Sequence, residues 1–299
     1  MRPRFDPFLT SARVRMKTPL PLLALLLSMG AGWSEPLLAQ EAQGRTAVTD
    51  SSPYTFSLVR HGAFLSGGVG TLLLAGALDE PGEPLPERTL RELDAGRVNG
   101  FDRPATSRYD TSLQDRSRSL ARAALVLPAL LVLEPRSWSD LPLLAVMYGE
   151  TLLLSTSLPS ISHRIVDRTP PWAYNEELSD ELRGEPHPDG VFIAGRTAAT
   201  FSSAVFLATV VGDYRPDSVL RYGVWAGALL AAGGIAYLEF ESGRHYPSDL
   251  IGGALVGGVI GSAIPRAHRR APATGGSRQL QVRPVPEGGV ELGLRLSLP

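Results

Sequence analysis

The chain has 299 residues and a formal net charge of -1, because 29 Lys and Arg are nearly balanced by 30 Asp and Glu. Nucleic acid is therefore not an expected partner, since binding it requires a clear excess of positive charge. The chain has no cysteine, so disulfides, thiol catalysis and cysteine-bound metals are excluded. The apolar residues are grouped into several runs, a distribution that points toward the membrane.

The N-terminal residues have the features of an export signal. The basic residues Arg13, Arg15 and Lys17 precede an apolar stretch, and small and polar residues follow it near Ala39. We predict a signal peptide over residues 1–39, with Met16 as an alternative start, and a polar linker over residues 40–57. An uncleaved membrane anchor is the competing interpretation.

Six apolar runs predict six helices, at residues 58–78, 119–133, 141–158, 197–211, 219–238 and 249–264. Several of these runs hold only about 15 apolar residues, fewer than the roughly 20 that cross the hydrocarbon core of a bilayer. We predict an all-α fold, a membrane-embedded bundle of six helices over residues 58–265. A soluble, exported bundle with a very apolar core is the alternative.

Charged residues within or beside these runs give further expectations. Arg60 and His61 should lie at a membrane interface, and Glu150 should point into the bundle, because a carboxylate facing lipid is costly. The basic tract 266–270, which includes His268, marks either a membrane interface or a solvated helix end.

The C-terminal tail, residues 266–299, has a different pattern. Polar and apolar residues alternate on both sides of Glu287-Gly288-Gly289. Such alternation around a glycine-containing turn predicts a short β-hairpin.

The stretch 237–253 holds the residues that are best suited to act as a base, a nucleophile or a ligand. Pro247 places His245 in a turn, and Ser248 or Asp249 can cap the helix that follows. An Asp four residues after a His can accept the Nδ1 hydrogen, which leaves Nε2 free as a base, nucleophile or ligand. Alternatively, Asp249 is only a helix cap and His245 a satisfied polar residue.

The long connections 79–118, 159–196 and 239–248 should emerge on one side of the bundle if successive helices alternate in direction. They would bring a set of candidate anion-binding residues, His163, Arg164, Arg168, Gly195, Arg196 and Arg244, to His245 and Asp249. Guanidinium groups and the N–H groups of a helix N-terminus both favour anions, so the sequence predicts a phosphate site here. It predicts no metal site and no cofactor.

These clusters and their order resemble the type 2 phosphatidic acid phosphatase and vanadium haloperoxidase superfamily. That family has a first motif of Lys, six residues and Arg-Pro, a second of Pro-Ser-Gly-His, and a third of Ser-Arg, five residues, His, three residues and Asp. The residues from His245 onward, His-Tyr-Pro-Ser-Asp-Leu-Ile-Gly-Gly, match the end of the third motif. Residues 164–175 resemble the first motif, and residues 192–198 resemble the second.

The resemblance implies phosphoryl transfer from a lipid phosphate, with His245 as the nucleophile that forms a phosphohistidine and Asp249 as its orienting carboxylate. It also implies that several of the family's catalytic positions are substituted in this chain. The family's Lys falls at His163, its first-motif Arg at Pro170, its second histidine at Arg196 and its third-motif Arg at Glu239. Arginine does not release a proton near neutral pH, and a glutamate would repel phosphate.

Three functions follow from this resemblance. The first is a membrane protein of this family in which catalysis is absent or strongly impaired and the fold serves lipid binding, structure or a partner. The second is a rewired lipid phosphatase that uses His245, with Arg164, Arg168 and Arg196 as anion clamps. The third is a soluble, exported protein similar to the acid phosphatases.

The resemblance and the signal also bear on ligands and location. Vanadate binding is a property of the family, but the substituted positions argue against it here. Insertion through a secretory signal implies the inner membrane of a bacterium, or the periplasm for the soluble alternative. The sequence makes no prediction of the oligomeric state.

Overall fold

The computed structural model describes residues 52–78, 84–185 and 192–270, and the backbone of residues 15–16, 278–285 and 289–296. The side chains of residues 163–165 and 167 are outside this description. The predicted signal peptide and most of the predicted linker also lie outside the described residues.

Eight α-helices run through the described residues. In chain order they are α1 (Leu58–Ala77), α2 (Glu87–Glu92), α3 (Thr111–Ala124), α4 (Leu141–Ile165), α5 (Asp180–Arg183), α6 (Gly195–Tyr214), α7 (Leu220–Glu241) and α8 (Pro247–His268). Short 3-10 helices lie at Ala95–Arg97, Arg103–Ser107, Leu127–Leu133, Pro135–Asp140 and Pro171–Tyr174. Because α2 and α5 are very short, six substantial helices remain, and the predicted all-α bundle of six helices is confirmed for this part of the chain.

One predicted helix is misplaced. The apolar run 119–133 does not form a single helix: α3 begins at Thr111 and ends at Ala124, and a 3-10 helix follows at Leu127–Leu133. The start is fixed by Asp110, whose side chain accepts hydrogen bonds from the backbone N–H groups of Ser112 and Leu113. Pro128, near the start of the 3-10 helix, lacks the N–H that a continuing α-helix would use.

Helix α6 occupies the centre of the bundle. It packs against α3, α4, α7 and α8, and most of its side chains are buried. Many of them are small, such as Ala198, Ser202 and Ala204. Small side chains let neighbouring helices approach α6 closely.

The contact between α6 and α8 is made backbone to backbone. Gly253, Gly257 and Gly261 lie four residues apart on one face of α8. A Cβ atom at Gly257 would lie 2.2 Å from the carbonyl oxygen of Ala198, and one at Gly261 would lie 2.4 Å from that of Ser202. Glycine is therefore required at these positions because the α6 backbone occupies the space of a side chain.

Four helical segments are long and apolar enough to cross a membrane, namely Leu58–Ala77, Pro135–Ser162, Leu220–Glu241 and Pro247–His268. Many of their apolar side chains face outward, including Leu73 in α1, Leu230 in α7 and Leu255 in α8. Large exposed apolar surfaces on long helices suit contact with lipid. These four helices indicate a membrane protein.

The buried ionisable residues confirm the expectation for Glu150 and add two buried histidines. Glu150 is 0% exposed and points into the bundle, as predicted. His61 is buried and its Nδ1 lies 2.6 Å from Oε1 of Glu150, and its place at a membrane interface stays a prediction. His268 is also buried, at the end of α8, whereas its neighbours Arg266 and Arg269 are exposed.

Two short pairs of strands complete the described backbone. β1 (Arg15–Met16) pairs with β2 (Val166–Asp167), directly after α4. β3 (Arg278–Val285) pairs antiparallel with β4 (Gly289–Leu296). The chain divides into two units, Met1–His268 and Arg269–Pro299, and the hairpin predicted for the tail falls in the second.

The close contact of α6 and α8 yields a test with a matched control. Gly257→Ala should destabilise the protein by about 1–3 kcal/mol, because the added methyl group collides with backbone that cannot move aside. Gly258→Ala adds the same methyl group where no atom lies within 4 Å. The melting temperature in detergent should fall for the first variant and not for the second. Equal melting temperatures would contradict the close contact.

Candidate functional site

Three of the long connections meet at the N-terminal end of α8. Arg168, which follows α4, donates from Nη1 to Oδ1 of Asp249 and from Nη2 to Oδ2 of Asp102, the latter at 2.6 Å. Its guanidinium carbon also lies 3.7 Å from the ring centre of Tyr246. The convergence predicted from the alternating helices is thus present. Its centre is an arginine held between two carboxylates.

Asp102 anchors this arrangement, although the sequence did not mark it as a site residue. Its Oδ1 accepts the backbone N–H of Ser248 at 2.9 Å, and its Oδ2 accepts the Ser248 hydroxyl at 2.7 Å. Burial would raise the pKa of Asp102, but hydrogen bonds from Asn99, Ser248 and Arg168 outweigh this effect and hold the pKa below its ordinary value. Asp102 is therefore a charged cap of α8 supplied by a distant segment.

Asp249 is buried and fully engaged by groups other than the His245 ring. Its Oδ1 accepts from Arg168, and its Oδ2 accepts the backbone N–H of Tyr246 at 3.1 Å. The second bond closes the turn that leads into α8. In this geometry the carboxylate acts as a turn cap and an Arg168 partner, and its role as the orienting group for His245 remains a prediction.

His245 lies in the turn between α7 and α8 and is 6% exposed. The turn is fixed against the segment before α3: the Asp110 N–H donates to the carbonyl oxygen of Ser242 at 3.2 Å. Gly243 has a φ of +72°, and a Cβ there would lie 2.0 Å from the carbonyl oxygen of Arg108. Glycine is needed for both reasons, and the imidazole is held in a rigid, buried loop.

Arg196 and Glu239 form the second feature of the site. Nη1 of Arg196, in the first turn of α6, donates to Oε1 of Glu239 near the end of α7 at 2.8 Å. The other carboxylate oxygen accepts the Thr197 hydroxyl at 2.9 Å, and the Glu239 side chain is 0% exposed. The negative charge of Glu239 is therefore compensated within the protein by Arg196.

The backbone before α6 is strained. Ile193 has a φ of 53°, in the left-handed region that β-branched residues rarely adopt. The next residue, Ala194, donates its N–H to the carbonyl oxygen of Asp249 at 3.0 Å. This bond ties the segment that resembles the second motif to the start of α8. Gly195 then opens α6.

Arg244 has partners other than those of Arg168. It donates from Nη2 to Oε1 of Gln114 at 3.0 Å, and its guanidinium carbon lies 4.8 Å from the ring centre of Trp172. The predicted site residues thus fall into groups: Arg168 with Asp249, Arg196 with Glu239, and Arg244 with Gln114. The side chains of His163 and Arg164 lie outside the described residues.

The Arg196–Glu239 pair can be tested by a double-mutant cycle. Arg196→Met should destabilise the protein by about 3–5 kcal/mol, because it leaves a buried carboxylate without a partner. Glu239→Gln should cost less, since Arg196 is 27% exposed on its side chain and can turn toward water. The double variant should be more stable than Arg196→Met alone in thermal melts in detergent. Strictly additive losses would mean that the two residues do not interact.

Comparison with known proteins adds one finding to this geometry. A family model described as the PAP2 superfamily matches residues 144–272, from α4 to just beyond the end of α8. Comparisons with curated proteins and with solved structures return no match. The matched range includes the turn with His245, the Arg196–Glu239 pair and the three helices that surround them. Residues 144–272 of this chain are a PAP2 superfamily domain.

Proposed function

We propose that this protein is a membrane-embedded PAP2 domain that binds a phosphate-bearing lipid and hydrolyses it slowly or not at all. The Arg196–Glu239 ion pair carries the proposal. The family resemblance aligns Arg196 with the histidine that protonates the leaving group, and Glu239 with an arginine that contacts phosphate. Here the two side chains bind each other instead.

The remaining cations of the site are also engaged by the protein. Arg168 is bound by two carboxylates, so the group formed by Arg168, Asp102 and Asp249 is negative when both acids are ionised. Arg244 is held by Gln114 and Trp172. A phosphate ester, or vanadate, would have to displace these partners and approach carboxylates, which is unfavourable at short range.

The missing acid limits catalysis independently of binding. A general acid typically contributes about 10²–10⁴ in rate, and charge stabilisation of a transferring phosphoryl group contributes a comparable factor. Arg196 cannot supply the proton, because arginine stays protonated in proteins. His245 then stands at the nucleophile position without a general acid and without free cations to stabilise a transferring phosphoryl group.

A cavity beside Arg196 supports the binding half of the proposal. It lies between α3 and α6, has a volume of about 240 Å³, and is lined by Arg118, Ala121, Arg122, Leu125, Arg196, Ala199 and Thr200. Arg196 is paired with Glu239, so the guanidinium groups of Arg118 and Arg122, next to apolar side chains, are the ones that suit an anionic headgroup joined to an acyl chain. The volume is below the roughly 300 Å³ of the smallest drug-sized pockets, which fits a headgroup rather than a whole lipid.

The rewired phosphatase is the second candidate, favoured by the preserved turn at His245. In that case His245 attacks phosphorus while Arg164 and Arg168 hold the oxygens, and His163 or water handles the proton. The predicted signal peptide is compatible with both candidates, and neither candidate determines on which side of the membrane the site lies.

A phosphatase assay separates the two candidates. The purified full-length chain should release little phosphate from phosphatidic acid, a polyprenyl diphosphate or an aryl phosphate, because the general acid is missing and the arginines are already paired. Any residual rate should be compared with that of His245→Ala. Robust turnover that disappears in His245→Ala would contradict the proposal and establish the rewired enzyme.

Lipid binding is tested at the cavity between α3 and α6. The chain in detergent should bind phosphatidic acid more tightly than phosphatidylcholine, as measured by native mass spectrometry. Arg122→Ala should weaken phosphatidic acid binding about tenfold or more, since a hydrogen bond to a charged group contributes about 1.5–3 kcal/mol. Arg116→Ala removes the same charge from an exposed position of α3 that does not line the cavity, and should have little effect.

Two controls complete the binding test. Inorganic phosphate alone should compete weakly, because it lacks the apolar part that contacts Leu125 and Ala199. Equal binding of the two lipids, or equal losses in Arg122→Ala and Arg116→Ala, would mean that the cavity does not select phosphate.

A further inference from the structure

A second cluster of chemically active side chains lies at the opposite end of α8 from His245. It joins His61 in the first turn of α1, Glu150 within α4 and His268, the last residue of α8. Nδ1 of His61 lies 2.6 Å from Oε1 of Glu150, and Nε2 of His268 lies 3.1 Å from Oε2. The two imidazole rings are stacked, with centres 4.1 Å apart.

All three side chains are removed from solvent. His61 is 3% exposed, and Glu150 and His268 are 0% exposed. Aromatic rings enclose them: Phe56 lies 4.6 Å from the ring of His61, and Phe64 lies 5.7 Å from that of His268, measured between ring centres. A carboxylate in such surroundings requires a positive partner, because burying an isolated ionised carboxylate is strongly unfavourable.

Hydrogen bonds alone leave this cluster incompletely satisfied. Nε2 of His61 and Nδ1 of His268 are buried and, among the residues that the structure describes, have no hydrogen-bond partner. They are the ring nitrogens other than the two that lie against Glu150, so the nitrogens next to the carboxylate are the ones placed to ligate an ion.

The donor set matches that of a divalent transition metal. One donor atom from each of the three residues lies within 4.8 Å of the others. Two imidazole nitrogens and a carboxylate oxygen, with a fourth position open to water, form a common zinc site with metal–ligand distances of about 2.0–2.2 Å. Small shifts of the three side chains would place the donors around one ion.

We propose that His61, Glu150 and His268 bind a divalent transition metal ion, with zinc the best match, and that the ion fastens α1 and the end of α8 to α4. The ion would neutralise Glu150 in the apolar interior. It would also connect α1, which precedes the PAP2 domain in sequence, to two helices of that domain. Calcium and magnesium fit less well, because they prefer oxygen ligands.

The test uses the full-length chain purified in detergent after growth with added zinc. Elemental analysis should find about one zinc per chain, as expected for a three-ligand site. After chelation, adding zinc should raise the melting temperature. Cobalt(II) in place of zinc should give the visible absorption bands of a four-coordinate ion with nitrogen and oxygen ligands.

The decisive variant is Glu150→Gln, which keeps the shape and the hydrogen-bonding capacity of the side chain but removes its charge. Its zinc content should fall at least about tenfold, because a neutral amide is a weak ligand for zinc. His268→Gln is the second variant, for use if the first does not fold. His245→Ala removes an imidazole at the other end of α8 and should keep its zinc.

The outcomes are distinguishable. Loss of zinc and of the zinc-dependent rise in melting temperature in Glu150→Gln, but not in His245→Ala, supports the site. If the wild-type chain contains no zinc and its melting temperature does not change when zinc is added, the proposal is overturned. The cluster is then a hydrogen-bonded His–Glu–His group. If zinc is retained in Glu150→Gln and lost in His245→Ala, the proposal is overturned, and the zinc is bound at the His245 end of α8 instead.

Discussion

Helices α6 and α8 approach so closely that the backbone of one fills the side-chain space of the other. Gly257 and Gly261 set this distance, and the carbonyl oxygens of Ala198 and Ser202 lie directly against them. The contact sets how far apart the two helices lie. The hydrogen bond from Ala194 to the carbonyl oxygen of Asp249 depends on it, and so does the position of the turn that contains His245.

Because α6 and α8 are packed so tightly, the chemistry of the site depends on which charged side chains lie near the N-terminal ends of these helices. The frame of a PAP2 domain can hold cations that are free to meet a phosphate, or cations that are already paired. Here Arg168 is paired with Asp102 and Asp249, and Arg196 is paired with Glu239. These ion pairs hold segments of the fold together, and they leave the paired arginines less available to an anionic ligand.

The sequence predicted the helices well where apolar residues were continuous, and it predicted that the long connections would meet. It misplaced α3, because that helix is polar and its start depends on the side chain of Asp110. It also missed the Arg196–Glu239 pair and the cluster of His61, Glu150 and His268. Both depend on how distant helices face each other, which residue spacing along the chain does not encode. The role of Asp102 was hidden for the same reason, since it caps a helix that begins far away in sequence.

The pairing of Arg196 with Glu239 also shapes how this chain can change over time. A substitution at either position alone leaves one member of the pair without its partner, and Glu239 has no path to solvent. A change at only one of the two positions therefore passes through a less stable protein. The two positions therefore constrain each other, because either one can change without a loss of stability only when the other changes with it.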